Sequence, residues 1–243
     1  LDGQTVAHIA SIFNNNNQFA DAVNVTETYR LTDTINVDVN RQNAKAYCML
    51  KDYKRAVSRY DALKAMGDRS FTTLYYLGIS HYGDNWPYGA QENLLEAHKK
   101  NPNDVNVLYY LAKSCARTSW KEEGVEYMEK ALELASPQDS TLARLYDGLL
   151  ECYDFLPKAD PYKKIELIKK VYSYNKKYTL YYKIADIYDR QKDYVNAVHY
   201  YEKYMALVPK DKQVALDEDG NPMPEIDTMY QKARRRVEKI KVE

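Results

Sequence analysis

The apolar positions of this chain follow the period of an amphipathic α-helix. Leu108, Leu111, Ala112 and Cys115 stand at i, i+3, i+4 and i+7, so they share one helical face. Residues 71–104 hold two such apolar runs, with a short polar turn between them and a proline after the second. The pattern therefore predicts a pair of helices in this stretch.

The helical pairs repeat along the chain, with small residues at the eighth and twentieth positions of every unit except the fifth. The eighth position holds, unit by unit, Ala10, Ala44, Gly78, Ala112, the less typical Tyr146, and Ala185. The twentieth position holds Ala22, Ala56, Ala90, Gly124 and, in the sixth unit, Ala197. A fixed period of this length predicts a stack of equivalent units. The predicted divisions are residues 3–36, 37–70, 71–104, 105–138, 139–177 and 178–211, then a loop at 212–226 and a capping helix at 227–243.

Close packing explains why the recurring residues are small. The two helices of a unit can cross tightly only where side chains are short, and larger apolar residues then fill the space between units. Helix starts are marked as well. Ser119 with Glu122 predicts a capping box before the second helix of the fourth unit. Asp160 before Pro161 predicts an N-cap and a first-turn proline in the fifth.

This spacing resembles the tetratricopeptide repeat (TPR) family. In the third unit the matching residues are Leu74, Leu77, Gly78, His81, Ala90, Leu94 and Pro102. In the sixth they are Tyr181, Ile184, Ala185, Tyr188, Ala197, Tyr201 and Pro209. The resemblance covers residues 3–211. It implies an all-α, right-handed superhelix of helix pairs, whose first helices line a concave groove that binds peptides or protein segments.

Several places depart from the family pattern. Asn40 and Asn43 stand where apolar residues are expected, which weakens the prediction of the first helix of the second unit. The fifth unit is longer than the others, and its extra residues are expected at 154–160, as a turn or protruding loop between its helices. Beyond the sixth unit, Thr228 with Gln231 predicts a capping box at the start of the last helix.

Residues suited to catalysis or metal binding do not group together. The four histidines fall in different repeats: His8, His81, His98 and His199. The three cysteines are far apart and are expected to be buried apolar residues: Cys48, Cys115 and Cys152. The sequence contains no Gly-rich phosphate loop, HExxH or CxxC motif. We therefore expect a protein that is not an enzyme and uses neither a cofactor nor a metal.

Tyrosine is abundant, with 25 Tyr against 4 Phe and 2 Trp. A tyrosine ring can be half-buried while its hydroxyl stays in water, which suits a binding surface. The TPR resemblance places many tyrosines at groove-facing positions, with basic residues beside them. The predicted partner-binding residues are Arg41, Lys45, Tyr75, Tyr76, Ile79, Tyr82, Tyr109, Tyr110, Lys113, Arg117, Arg144 and Tyr182. The expected partner is a protein or peptide, and the alternative is that several of these tyrosines only fill the interfaces between repeats.

The charge balance of the chain limits the other functions that can be expected. Lys+Arg and Asp+Glu both number 35, and a net charge of zero argues against nucleic-acid binding. A nucleic-acid-binding helical repeat remains one alternative function, and the repeat segment of a larger cell-envelope assembly protein is another. Basic clusters at 163–164, 169–170, 176–177 and 234–236 are expected to be solvated faces, with docking to an acidic protein or a membrane as the alternative.

Hydropathy leaves the compartment open. No apolar run approaches the roughly 18 residues of a membrane span, so a soluble chain is expected, either cytoplasmic or periplasmic. The sequence begins at Leu1 rather than at methionine, so a preceding signal peptide or further repeats would not be visible.

Overall fold

The structure is a computed structural model that describes residues 1–135, 139–216, 221, 223 and 227–242. The chain divides into two compact units, the first formed by Leu1–Gln138 with Asp154–Leu156 and the second by Asp139–Tyr153 with Pro157–Glu243. The prediction of an all-α fold is confirmed for the described residues. No helix among them is both long and apolar enough to cross a membrane.

Helices in the first unit come in pairs joined by short turns, and each pair packs together along its length. Such connections make neighbouring helices antiparallel. The eight helices before residue 136 are α1 Gly3–Asn15, α2 Phe19–Arg30, α3 Val37–Met49, α4 Tyr53–Ala65, α5 Phe71–Gly83, α6 Pro87–Lys100, α7 Val105–Ala116 and α8 Lys121–Leu134. The later helices are α9 Asp139–Phe155, α10 Pro161–Asn175, α11 Thr179–Arg190, α12 Tyr194–Leu207 and α13 Met229–Ile240.

Small residues fill the crossings between paired helices. Ala10, Ala22 and Ala44 are fully buried, as are the alanines at equivalent positions of later repeats. Two of the crossing positions hold glycine, Gly78 and Gly124, and there the paired helices approach even more closely. A Cβ on Gly78 would lie 2.5 Å from Cγ of Leu94, and one on Gly124 would lie 2.9 Å from a backbone carbonyl of α7. The crossing positions therefore leave no room for a larger side chain.

The first helices of four successive repeats begin with the same polar cap. Asp2, Asn36, Ser70 and Asp104 occupy the same position in these repeats, and each side chain accepts a hydrogen bond from a backbone N–H of the first turn. In α7 the Asp104 carboxylate accepts from Val107 N–H at 3.0 Å. Each cap of this type stabilises its helix by about 1 kcal/mol. The sequence contains these residues, but the helical pattern alone did not identify them.

The turn inside the helix pair is also the same in the first, second, third and sixth repeats. One residue adopts the left-handed conformation, and the next N–H reaches back to close a Schellman motif, as Trp86 N–H does with the His81 carbonyl at 2.9 Å. The left-handed residues are Asn17, Lys51, Asn85 and Lys192. Asparagine tolerates this conformation, whereas lysine is strained in it by about 1 kcal/mol.

The predicted capping box of the fourth repeat is wrong. Helix α8 begins at Lys121, with Trp120 at the N-cap and no side chain capping it, so Ser119 lies outside the helix. Glu122 instead lies in the first turn, where its charge favours the helix N-terminus. The N-cap at Asp160 with Pro161 after it is confirmed in α10.

Buried asparagines in α3 form part of a polar network, which explains their departure from the family pattern. Asn43 donates to Thr26 Oγ1 at 2.9 Å and to Glu27 Oε1 at 3.0 Å. Arg59 Nε in turn donates to the side-chain oxygen Oδ1 of Asn43 at 3.1 Å. Asn40 donates to the Thr34 carbonyl at 2.8 Å. These bonds replace the apolar contacts of other repeats, and α3 forms a full helix.

The extra residues of the fifth repeat extend a helix. Helix α9 runs to Phe155, so the expected loop at 154–160 is confined to the part after Phe155. Residues 217–220, 222 and 224–226 of the predicted loop at 212–226 lie outside the described residues. Within the described part, Met223 N–H donates to the Ala215 carbonyl at 2.7 Å.

The last helix is anchored to the second unit by apolar and ionic contacts. The predicted capping box of Thr228 and Gln231 is confirmed at its start. Ala233 and Val237 are buried against α12 in a shared core cluster. Arg236 then forms two hydrogen bonds of 2.7 Å to the Asp189 carboxylate of α11. Because this bidentate ion pair is largely buried, it fixes α13 more firmly than a surface pair would.

Replacing Lys51 with glycine should stabilise the first unit. Glycine adopts the left-handed conformation without strain, and we expect the free energy of unfolding to rise by about 0.5–1 kcal/mol. Urea unfolding followed by circular dichroism measures the change. Lys54→Gly, inside helix α4, is the matched control and should lower stability by a similar amount. Destabilisation by both variants would contradict the argument.

Removing Arg236 should loosen α13. In Arg236→Ala the Asp189 carboxylate loses the arginine that binds it. The backbone amides of α13 should then exchange faster with deuterium, by an amount that corresponds to a loss of about 1–3 kcal/mol in local stability. The exposed pair of Arg234 with Glu238 offers a control, since Arg234→Ala should change exchange by less than about 0.5 kcal/mol. Equal exchange in the two variants would show that the Asp189 pair does not hold the helix.

Candidate functional site

Eight of the predicted partner-binding residues are on α5 and α7, the last of them, Arg117, at the C-cap of α7. We call them the α5–α7 cluster: Tyr75, Tyr76, Ile79, Tyr82, Tyr109, Tyr110, Lys113 and Arg117. All eight side chains are partly exposed. The two helices contact each other directly, so equivalent positions of adjacent repeats stand side by side.

The tyrosine rings of this cluster pack edge to face. The rings of Tyr75 and Tyr76 are 5.1 Å apart, and those of Tyr109 and Tyr110 are 5.2 Å apart. Tyr82 joins the two helices, because its ring lies 6.0 Å from that of Tyr110. Edge-to-face aromatic pairs contribute about 0.5–1.5 kcal/mol each beyond their burial. The rings therefore form a rigid platform before any partner arrives.

Two cations cover part of this platform. The Lys113 ammonium lies 5.3 Å from the ring centres of both Tyr82 and Tyr109. The Arg117 guanidinium lies 4.6 Å from the centre of Tyr82. Both are within the range of favourable cation–π interaction. The cluster thus offers aromatic area and positive charge at one place.

Part of the cluster also fills the interface between repeats, as the alternative interpretation expected. Tyr76 stacks on the fully buried Tyr60 at 6.3 Å, and Ile79 packs against the same core. Burial raises the pKa of Tyr76, with the nearby Cys48 as a smaller cause. Tyr75 stacks on Phe71 at 5.9 Å and also packs against buried residues of the third and fourth repeats. These contacts mean that a truncation of Tyr76 would damage the fold as well as any binding.

Arg41 is held by two carboxylates. Its guanidinium donates to Asp68 at 3.1 and 2.9 Å and to Asp38 at 2.8 Å. Asp68 is only 9% exposed and also accepts from Thr73 Oγ1 at 2.8 Å and from Ser70 N–H at 3.0 Å. Burial raises the pKa of Asp68, but these hydrogen bonds outweigh burial and lower the pKa to about 2. Arg41 therefore ties α3 to the turn before α5.

The remaining predicted residues are on other helices. Lys45 is half-exposed on α3. Arg144, exposed on α9, and Tyr182, half-buried on α11, belong to the second unit. The ring of Tyr182 packs edge to face against Tyr204 at 5.3 Å. Burial raises the pKa of Tyr182, with the charge of a neighbouring aspartate as a smaller cause.

Exposed tryptophans and a cavity were not identified from the sequence. Trp86 and Trp120 occupy the same position in consecutive repeats and are 52% and 43% exposed. The sequence feature that could have identified them is their separation by one repeat. A cavity of about 540 Å³ lies elsewhere, against α1 and α2, and contains no residue of the α5–α7 cluster. It is lined by Leu1, Val6, Asn24, Val25, Thr28, Tyr29 and Thr32.

Groups suited to catalysis are isolated. His81 is buried and its ring packs edge to face against Trp86 at 4.6 Å, and burial lowers its pKa. The three cysteines are buried, as predicted. Within the described residues, no group of three or more His, Cys, Asp or Glu side chains is placed to hold a metal ion.

Comparisons with known proteins identify the fold. The tetratricopeptide repeat model matches residues 178–211. The solved structure of PilF from Pseudomonas aeruginosa is 17% identical and covers 96% of each chain, with a TM-score of 0.57. YrrB, described as a TPR protein with an unusual peptide-binding site, is 17% identical over 74% of this chain and 89% of its own, with a TM-score of 0.60.

A TPR protein from Cytophaga hutchinsonii is also similar, at 16% identity, 82% coverage of this chain, 78% of its own and a TM-score of 0.61. No curated protein sequence matched the chain. The chain therefore has the TPR fold, and the resemblance seen in its sequence is confirmed. Proteins of this fold are generally non-enzymatic scaffolds that bind protein partners.

Asp68 should stabilise the first unit in a pH-dependent way. Its folded pKa of about 2 lies below the ordinary value of 3.8, so its contribution is present above about pH 4 and is lost as the pH falls towards 2. Asp68→Asn should therefore lower the free energy of unfolding near pH 7 by about 1–3 kcal/mol. Urea unfolding measured from pH 7 to pH 2 checks both the loss and its disappearance in acid.

The exposed Asp38 provides the comparison for Asp68. It pairs with the same arginine but is 68% exposed, so Asp38→Asn should cost less than about 0.5 kcal/mol at any pH. If Asp68→Asn lowered the free energy of unfolding by the same amount from pH 7 down to pH 2, the charge of the carboxylate would not be the cause of the lost stability.

Proposed function

We propose that this protein is a non-enzymatic scaffold that binds an extended peptide or a helix of a partner protein across the α5–α7 cluster. The observation that carries the proposal is the platform of tyrosine rings bridged by Tyr82 and flanked by Lys113 and Arg117. Tyrosine and arginine are the residue types that dominate protein-binding hot spots. The first helices supply this surface, as they do in the groove that the TPR resemblance implies.

The geometry favours a segment with both aromatic or apolar and acidic side chains. Rings packed edge to face expose their edges and part of their faces, which suits apolar contact without loss of tyrosine rotamer freedom on binding. The cations beside Tyr82 and Tyr109 would favour a carboxylate at the same place. The peptide-binding site named for YrrB shows that a structurally similar TPR protein can bind peptides.

Tyr109 offers the cleanest test of this site. Its ring belongs to the cluster, whereas Tyr76 also supports the core, so Tyr109→Ala should preserve the fold. Peptides selected from a random display library on the wild-type protein should bind Tyr109→Ala at least about tenfold more weakly, a loss of about 1.4 kcal/mol. Fluorescence anisotropy measures the affinities, and thermal unfolding verifies the fold.

The control is Tyr88→Ala, which removes a tyrosine that is 60% exposed on α6, outside the cluster. Its affinity should stay within about twofold of the wild-type value. Selected peptides that bind both variants equally would place the site elsewhere. Binding of single-stranded RNA with a steep salt dependence would instead support the nucleic-acid alternative.

A further inference from the structure

A second aromatic and basic surface lies on the second unit, formed by α10, α11 and α12. We call it the Tyr–Lys patch: Lys169, Tyr172, Lys176, Tyr181, Tyr188, Tyr200 and Lys203. Its tyrosines are partly exposed, and its lysines are exposed. Neither the TPR resemblance nor the proposed α5–α7 site accounts for it.

Four tyrosine rings run through the patch in a continuous chain. Tyr172 of α10 and Tyr181 of α11 have ring centres 4.6 Å apart. Tyr181 then contacts Tyr200 of α12 at 6.0 Å, and Tyr200 stacks on Tyr188 at 5.7 Å. The hydroxyls of Tyr172 and Tyr181 are hydrogen-bonded to each other, and this bond is the main cause that raises the pKa of Tyr181 to about 12. The rings thus join three helices.

Lysine ammonium groups cover the ring faces. Lys203 lies 5.2 Å from the centre of Tyr200 and 5.8 Å from that of Tyr181. Lys176 lies 5.3 Å from the centre of Tyr172. Lys169 bonds Glu166 at 2.8 Å. The patch therefore carries three lysines, of which Lys169 is paired with an acidic residue, and Asp193 is a second acidic residue close to Tyr188.

The positive charge is concentrated in this region. Residues 161–177 contain six lysines and one acidic residue, Glu166, although the whole chain has zero net charge. Such a local excess attracts an acidic partner. Because Lys176 and Lys203 are held over rings, less side-chain freedom is lost when an anion binds them.

The chemistry of the patch distinguishes among polyanions. Nucleic-acid bases stack on aromatic faces, but here neighbouring rings and ammonium groups occupy part of those faces. A membrane surface is usually bound through exposed apolar side chains together with basic ones, and the patch has only tyrosines besides its lysines. Ammonium groups with tyrosine hydroxyls beside them match carboxylates, which accept hydrogen bonds from both.

We infer that the Tyr–Lys patch binds an Asp- and Glu-rich segment of a partner protein. This inference does not depend on the α5–α7 proposal, because the two surfaces belong to different units and share no residue.

The test uses the full chain and a fluorescein-labelled peptide of about twelve residues in which glutamate alternates with glycine. The patch variant combines Lys169→Gln, Lys176→Gln and Lys203→Gln. The control combines Lys54→Gln, Lys99→Gln and Lys100→Gln, which removes the same charge from exposed lysines of the first unit. Circular dichroism verifies that both variants fold.

The peptide should bind the wild-type chain, and the patch variant should bind it at least about tenfold more weakly while the control stays within about twofold. Raising the salt from about 0.05 M to about 0.3 M should weaken wild-type binding. The inference is overturned by absent peptide binding or by equal loss in both variants. Tighter patch-dependent binding of polyuridine RNA or of phosphatidylserine vesicles would also overturn it, because the patch would then serve another kind of partner.

Discussion

The close crossing of the two helices in the first four repeats and in the sixth is the constraint on which the rest of this structure depends. Ala10, Ala22 and Ala44 have no exposed surface, and a side chain added at Gly124 would meet backbone atoms of the partner helix. A helix can present whole rows of side chains to its neighbours only if the neighbours stand at a fixed distance. The small residues set that distance, and the positions of the tyrosines on α5, α7, α10, α11 and α12 follow from it.

Much of the fold could be predicted because this constraint is local and repeated. A constant repeat length and small residues at two fixed positions indicate helix pairs without any knowledge of distant contacts. Details decided by tertiary bonds could not be predicted. The burial of Asn43 is satisfied by Thr26, Glu27 and Arg59, which come from two other helices. Its sequence position shows only a polar residue where an apolar one is usual.

Local capping motifs predicted helix starts with unequal success for the same reason. The capping box at Thr228 formed because both partners are adjacent to a helix start, whereas Ser119 lies just before the N-cap of α8. The candidate site shows the same limit. The TPR resemblance singled out the cluster tyrosines on α5 and α7, but the contact between Tyr82 and Tyr110 depends on the spacing of two helices. The hold of Asp68 on Arg41 depends on a turn conformation that periodicity does not describe.

The abundance of tyrosine has a physical interpretation once these contacts are known. A buried interface between repeats needs apolar area, and leucine or phenylalanine would supply it as well as tyrosine does. A fully buried tyrosine has a cost that leucine or phenylalanine does not. The buried hydroxyl of Tyr60 has no hydrogen-bond partner. The tyrosines of the α5–α7 cluster and of the Tyr–Lys patch, unlike Tyr60, are partly exposed. Packing alone does not require tyrosine at these positions, nor does it require cations over the rings. Recognition of a partner is a reason for both.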